Sequence, residues 1–288
     1  MQVSRSQLHW SPFLTGQQVG WSTIVLCALL VFTGGGCEVV GVFQKDPDRR
    51  VDHDIQFQVA EEHEIGPVAP DVPEIVFTMR TKKNFGCLGY RIRHEIERTK
   101  TKIVLRFLGI ESPGEVCLAA LGPASARFQL PLDVGSHTLV LLNGEIRDEY
   151  TIDVTNKRIE VTSVESEGTE PIATLHWRYP RDSFAYYCGT TLDTKSLCTD
   201  FQDQLEDLSL SRIEVPEEGV WPYSLRSKGH HFDAPAQFYR YSNKATWEEV
   251  KARLRTFTRE RIRDREGIGL EVENWLFGGV MSWMVDRQ

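Results

Sequence analysis

A short apolar run near the start of the chain, followed by three glycines and a cysteine, most constrains what the later residues can form. The run covers residues 21–32. At roughly 12 residues it suits the apolar region of a signal peptide better than a membrane-spanning helix, which needs about 20. Arg5 precedes the run and no acidic residue occurs before Glu38, so the leader is weakly positive. We predict that residues 1–36 are a signal peptide.

The sequence TIVLCALLVFTGGGC, residues 23–37, resembles the signal and lipobox of bacterial lipoproteins. In that family the leader is cut just before a cysteine, which is lipidated and becomes the mature N-terminus. The resemblance implies lipidation of Cys37, although Gly34 stands where the family usually has an aliphatic residue. It also implies a cell-envelope protein anchored to the lipid bilayer. Glu38 is not the aspartate that retains some lipoproteins at the inner membrane, which favours the outer membrane. An uncleaved anchor and a buried apolar segment stay open as alternatives.

The cysteine count agrees with an oxidising compartment. Six cysteines occur, of which Cys27 would leave with the leader and Cys37 would carry lipid. Four cysteines then remain, and they allow three disulfide pairings. We prefer the pairing in which each disulfide lies within a single predicted domain, with the bridges Cys87–Cys117 and Cys188–Cys198. The CxxC spacing of zinc and redox sites is absent, so we predict no metal site and no cofactor.

Proline and charge then divide the mature chain into a tether and two domains. The charged, proline-containing stretch 37–72 predicts an extended tether. Residues 73–166 carry short strand-like segments at regular spacing, with Asn143-Gly144 as a hairpin turn. This pattern predicts an immunoglobulin-like antiparallel β-sandwich. The segments GCLGYRI, GIESPGEVC and LDVGSHTLVLLNG within it are similar to small β-sandwich domains of bacterial envelope lipoproteins.

The last part of the chain, residues 172–288, predicts a small α+β domain after a linker at 167–171. Its clearest element is the helix TWEEVKARLRTFTRERIRDRE, for which Thr246 and Glu249 suggest a capping box and Gly267 a stop. One face of this helix is apolar at helical spacing. That face contains Trp247, Val250, Leu254, Phe257 and Ile262. The opposite face is basic, and we expect its cations to pair with neighbouring glutamates.

The only chemically suggestive cluster is KGHHFDAP, with His230, His231 and Asp233. Neighbouring histidines in an extended loop point to opposite sides, so an ordinary polar loop is favoured over a metal site. We expect His176 to be a strand residue with a satisfied ring nitrogen. Most aromatic residues of the last domain should be core, with the WPYS segment at 221–224 as an alternative ligand-binding rim.

These observations predict a noncatalytic, membrane-anchored envelope lipoprotein with a binding or assembly role towards a protein or a small ligand. The formal net charge of −8 argues against nucleic acid as a partner. No nucleophile elbow or phosphate-binding loop occurs. The alternative is an envelope hydrolase or a metal-dependent enzyme that uses His230, His231 and Asp233.

Overall fold

The computed structural model describes residues 50–64, 72–114, 120–225, 232–233 and 235–285, with 232–233 described for the backbone alone. The predicted signal peptide and the lipidation of Cys37 lie outside the described residues. So do Cys117, His230 and His231. Within the described part of the chain, no helix is both long and apolar enough to cross a membrane.

The first half of the described chain forms one ten-stranded sheet, in the order β10-β8-β7-β6-β4-β3-β5-β2-β1-β9. Its strands are β1 (Ile55–Glu62), β2 (Glu74–Phe85), β3 (Arg91–Arg98), β4 (Lys102–Glu111), β5 (Gly122–Gln129), β6 (Gly135–Asn143), β7 (Ile146–Val154), β8 (Arg158–Glu165), β9 (Thr169–Pro171) and β10 (Leu175–Trp177). Most neighbours are antiparallel, while β4–β6, β3–β5 and β1–β9 are parallel. The predicted hairpin at Asn143-Gly144 joins β6 to β7, with Gly144 in the left-handed conformation at φ 60°.

The sheet curls so that its two ends approach each other. Alternate residues of its strands point inwards and form a single core, in which Phe57, Phe77 and Tyr150 are fully buried. The Phe57 ring stacks on Phe77 at 5.4 Å and meets Tyr150 edge-on at 4.9 Å. At the ends of the sheet, β9 pairs with residues 55–57 of β1, and β10 also lies near β1.

The second half of the described chain forms a smaller sheet covered by two helices. Its elements are β11 (Ser183–Thr190), α1 (Ser196–Asp203), β12 (Leu210–Ile213), β13 (Phe232–Asp233), β14 (Gln237–Tyr241), α2 (Lys244–Phe257), β15 (Ile268–Asn274) and β16 (Gly279–Met281). The strand order is β12-β14-β11-β15-β16, and β13 also pairs with β11. A π-helical turn, Thr258–Ile262, extends α2.

Both faces of this smaller sheet are buried. Tyr186 of β11 packs with α1 and α2 on one face, together with Phe201 and Leu254. On the other face, Tyr187 packs with Trp221 and Tyr223 of a long loop. The predicted disulfide Cys188–Cys198 is present and ties β11 to α1. Cys87 is also disulfide-bonded, and its pairing with Cys117 stays a prediction.

The coarse prediction, a mainly β chain with an α+β second part, is confirmed. The immunoglobulin-like sandwich is not confirmed, because the strands between residues 55 and 177 belong to one sheet. Residues 55–62, inside the predicted tether, form β1 because Ile55, Phe57 and Val59 alternate with polar residues and enter the core. The predicted linker also contributes β9.

Helix α2 carries the predicted apolar face, and Trp247, Val250, Leu254 and Phe257 are buried. Its predicted cap is wrong. The N-cap is Asn243, whose side chain accepts a hydrogen bond from the Thr246 backbone N at 3.0 Å. Asparagine is among the best N-caps, so the helix begins earlier than the Thr–Glu pair suggested.

Candidate functional site

A cavity of about 300 Å³ lies where β1 and β10 of the curled sheet meet the loops of the smaller sheet. We call it the junction pocket. Six aromatic or imidazole rings line it, and two glutamates lie beside them. The rings belong to His63, His176, Trp177, Tyr179, Trp221 and Phe277. The glutamates are Glu61 and Glu62. These residues come from four separate parts of the chain, so the folded topology alone brings them together.

Backbone hydrogen bonds hold the 218–222 loop beside β10 and so fix one wall of the pocket. His176 of β10 is bridged to Val220 in parallel register. The Trp177 backbone N donates to the Val220 carbonyl at 2.8 Å, and the Val220 N donates to the Leu175 carbonyl at 2.9 Å. The Trp177 indole Nε1 donates to the Glu218 carbonyl at 2.8 Å. Trp221 follows directly and is only 9% exposed.

Three buried nitrogen atoms of the pocket's rings have no hydrogen-bond partner among the described residues. They are His63 Nε2, His176 Nε2 and Trp221 Nε1. A buried polar atom without a partner costs about 1–3 kcal/mol, and folded proteins satisfy most such groups. His176 is a strand residue, as expected, and the expected satisfied ring nitrogen is not its Nε2. Three such atoms on residues of one cavity leave hydrogen-bonding capacity that the described residues do not use.

Both histidines of the pocket favour the neutral form. Burial lowers the pKa of His176, and the nearby Glu62 carboxylate opposes this only partly. Burial also lowers the pKa of His63, against the opposing effects of Glu61 and of a hydrogen bond with the Trp275 backbone. A neutral imidazole has one donor and one acceptor nitrogen. The pocket therefore offers neutral imidazoles that can accept a hydrogen bond from a bound molecule or donate one to it.

One glutamate of the pocket is held in place by structural bonds. Glu61 is 5% exposed, and its Oε1 accepts from Arg178 Nη2 at 2.9 Å. Its Oε2 accepts from the Tyr179 backbone N at 2.7 Å. The other glutamate is at the rim, where Glu62 Oε2 accepts from Arg127 Nε at 3.2 Å with both side chains partly exposed. A ligand can therefore compete for Glu62 but not readily for Glu61.

Phe277 forms the outer wall of the pocket and has a strained backbone. It lies in the turn between β15 and β16 at φ 59°, a conformation that bulky residues rarely adopt. The buried Asn274 side chain holds this turn, since its Oδ1 accepts from the Gly278 N at 2.8 Å. The Phe277 ring is nevertheless 58% exposed and lies 5.3 Å from the His63 ring. Strain retained for an exposed aromatic ring is more typical of a functional position than of a structural one.

The remaining candidates from the sequence are placed elsewhere or lie outside the described residues. His230 and His231 lie outside them, and Asp233 is described only as the β13 residue that pairs with Gly189. Within the described residues, no group of three or more His, Cys, Asp or Glu side chains could hold a metal ion. On α2, Arg253 binds Glu249 and Asp207, and Lys251 binds Glu248, as expected of a solvated, paired face.

Aromatic residues of the last domain are mainly core, as predicted, and Tyr223 of the WPYS segment is buried. Trp221 of the same segment serves the core and lines the pocket. No sequence motif marks Glu61, His63 or Phe277 as pocket residues. Comparisons of the chain with protein-family models, with curated proteins and with solved structures find no match.

Proposed function

We propose that the protein is a noncatalytic binding protein and that it takes up a small ligand in the junction pocket. The observation that carries this proposal is the convergence of three unpartnered buried nitrogen atoms on residues of one ring-lined cavity. Ligand sites are typically concave, lined by apolar and aromatic groups, and furnished with few polar groups. The junction pocket has this composition.

The unpartnered nitrogens also specify how a ligand would bind. The Trp221 indole N–H is a donor only, so it requires an acceptor atom on the ligand. The nitrogens are covered by neighbouring side chains. A ligand therefore reaches them only when part of the wall shifts, and Phe277, the most exposed ring of the pocket, is the ring position freest to do so.

A ligand screen with matched variants tests this proposal. Saturation-transfer NMR of the purified full chain against a fragment library identifies compounds that bind. His63→Phe retains a ring beside Tyr179 and Phe277 but removes the unpartnered nitrogen. The control is His94→Phe, which alters a β3 histidine that stacks on Phe128 at 4.9 Å outside the pocket.

We expect the library to give hits whose signals fall at least severalfold in His63→Phe and stay unchanged in His94→Phe. His63→Phe removes a buried atom without a partner and also the hydrogen bond with the Trp275 backbone, so its unfolding midpoint is measured first to verify that it folds. Hits that are indifferent to His63→Phe, or no hits for the wild-type chain, would overturn the binding role of this pocket.

We further propose that the protein is a lipoprotein of the cell envelope, anchored through Cys37 and favouring the outer membrane. The leader and GGGC sequence of residues 1–37 support this, and the Cys188–Cys198 disulfide fits an oxidising compartment. Intact mass spectrometry of the native protein without reductant tests it. A mature chain that begins at a diacylated Cys37 supports the anchor, whereas a chain that still carries Met1 contradicts it.

A further inference from the structure

The charged groups that line the junction pocket indicate which kind of ligand it prefers. An inference about that preference rests on the proposed role of the pocket as a ligand site. Glu61 and Glu62 line it, and no lysine or arginine lines it in the described part of the chain. Arg178 and Arg127 bind these carboxylates without themselves lining the cavity. The wall therefore presents carboxylate oxygens and no cationic group, while the arginines that partly neutralise these oxygens lie behind it. An anionic ligand finds no charged partner in this wall, whereas a cation finds carboxylate oxygens to bind.

The rings of the pocket add a second preference. Tyr179, Trp221 and Phe277 present π systems, whose faces attract a cation placed within about 6 Å. The adjacent surface already contains such an arrangement, with the Arg181 guanidinium 4.4 Å from the Trp275 ring. The rings also provide apolar area against which a hydrocarbon body can pack.

The histidines are compatible with a cationic ligand. His63 and His176 are held neutral by burial, and the unpartnered Nε2 atoms can act as acceptors in that state. An ammonium group supplies N–H donors for them. Glu62, partly exposed at the rim, accepts hydrogen bonds from Arg127 and from Gln58, and its carboxylate can exchange one of these partners for the ligand.

We propose that the junction pocket binds a small organic cation, with a primary ammonium group near Glu62 and the unpartnered imidazoles, and an apolar body against the aromatic rings. A hydrogen-bond acceptor elsewhere on the natural ligand would satisfy the Trp221 indole.

Three probes with one carbon skeleton test the charge requirement: cyclohexylmethylamine, cyclohexylmethanol and cyclohexanecarboxylate. Titrations of the full chain at neutral pH, followed by ligand-observed NMR, give their dissociation constants. We expect the amine to bind about tenfold more tightly than the alcohol, as a cation over aromatic rings near a carboxylate should. The carboxylate should show no binding.

Matched charge variants locate the effect. Glu62→Gln should weaken amine binding about tenfold and leave alcohol binding unchanged. Glu64→Gln removes an equal charge two residues away, from an exposed side chain that accepts a hydrogen bond from Gln129 and does not line the pocket. It should change amine binding less than about threefold, since exposed charges are screened. Unfolding midpoints of both variants verify that they fold, and Phe277→Gly provides a second pocket variant that should also weaken the amine.

The outcomes separate this inference from the proposed function. Equal binding of amine and alcohol, or tighter binding of the carboxylate, overturns the cation preference while a small-ligand site stands. The cation preference is overturned in the same way if no probe binds but library compounds bind in a His63-dependent way. Amine binding that is insensitive to Glu62→Gln and Phe277→Gly also overturns the inference, because it places the amine elsewhere.

Discussion

Glu61 of β1 and Arg178, which follows β10, form a buried ion pair, with Arg178 Nη2 at 2.9 Å from Glu61 Oε1. The pair links the two approaching ends of the curled sheet. The Tyr179 backbone N donates to the same carboxylate at 2.7 Å. This bond fixes the position of the chain at Tyr179, where it leaves the curled sheet. This connection sets the positions of His63 and Tyr179, whose rings lie 4.8 Å apart in the junction pocket.

Breaking that pair should destabilise the fold. Arg178→Met leaves the Glu61 carboxylate buried without its cation, and we expect a loss of about 3 kcal/mol in the free energy of unfolding. Arg158→Met is the control, because Arg158 pairs with Glu160 at 3.1 Å on the exposed surface. That change should cost less than about 1 kcal/mol. Urea unfolding checks both, and equal losses in the two variants would contradict the structural role of the Glu61–Arg178 pair.

The strain at Phe277 can be separated from the role of its ring. Phe277→Ala and Phe277→Gly both remove the ring, but only glycine adopts a positive φ without steric cost. We expect Phe277→Gly to be more stable than Phe277→Ala by about 1 kcal/mol in urea unfolding. Both variants should bind pocket ligands more weakly than the wild-type chain. If the alanine variant is as stable as the glycine variant, position 277 is not strained.

The stability of the fold should decrease in mild acid through the pocket histidines. Burial lowers the pKa of His63 and His176 below the ordinary value of 6.5, so the unfolded chain binds protons that the folded chain excludes. The two histidines therefore leave the free energy of unfolding unchanged above about pH 6.5. Below that pH they lower it progressively, until the pH reaches their lowered pKa values in the folded chain. His176→Gln should reduce the slope of unfolding free energy against pH in this window. An unchanged slope would show that His176 titrates normally.

The Cys188–Cys198 disulfide should stabilise the second sheet and α1. It closes a loop with a sequence separation of 10, for which the loss of unfolded-chain entropy predicts about 2–3 kcal/mol. The double variant Cys188→Ala, Cys198→Ala should unfold at correspondingly lower urea. Wild-type protein unfolded with and without reductant provides the comparison. An unaltered midpoint in the double variant would contradict this contribution.

Local patterns in the sequence predict elements whose residues are neighbours in the chain. The Asn143-Gly144 hairpin, the apolar face of α2 and the Cys188–Cys198 bridge are of this kind. Strand β1 escapes prediction although its alternation is clear, because charged and proline-containing segments flank it and suggest a tether. The sequence predicts a two-sheet sandwich, whereas the strands form a single sheet. The pairing of strands depends on contacts between residues far apart in the chain, and short-range patterns do not specify these contacts.

The candidate site is beyond prediction for a related reason. Its rings come from residues 63, 176–179, 221 and 277, and no two of these segments share a motif. His176 looks like an ordinary strand residue until the parallel bridge to Val220 and the burial of Nε2 are known. Phe277 is inconspicuous until its positive φ is seen.

The indole N–H resonance of Trp221 reports directly on whether a ligand fills the junction pocket. Heteronuclear NMR of the full chain resolves the tryptophan indole signals, and Trp221→Phe assigns the signal of Trp221. The compounds found by the library screen should shift the Trp221 signal as its unpartnered N–H gains an acceptor. The signal of Trp247, which lies in the α2 core away from the pocket, should stay in place. Binding compounds that leave the Trp221 signal unmoved would contradict a ligand site in this pocket.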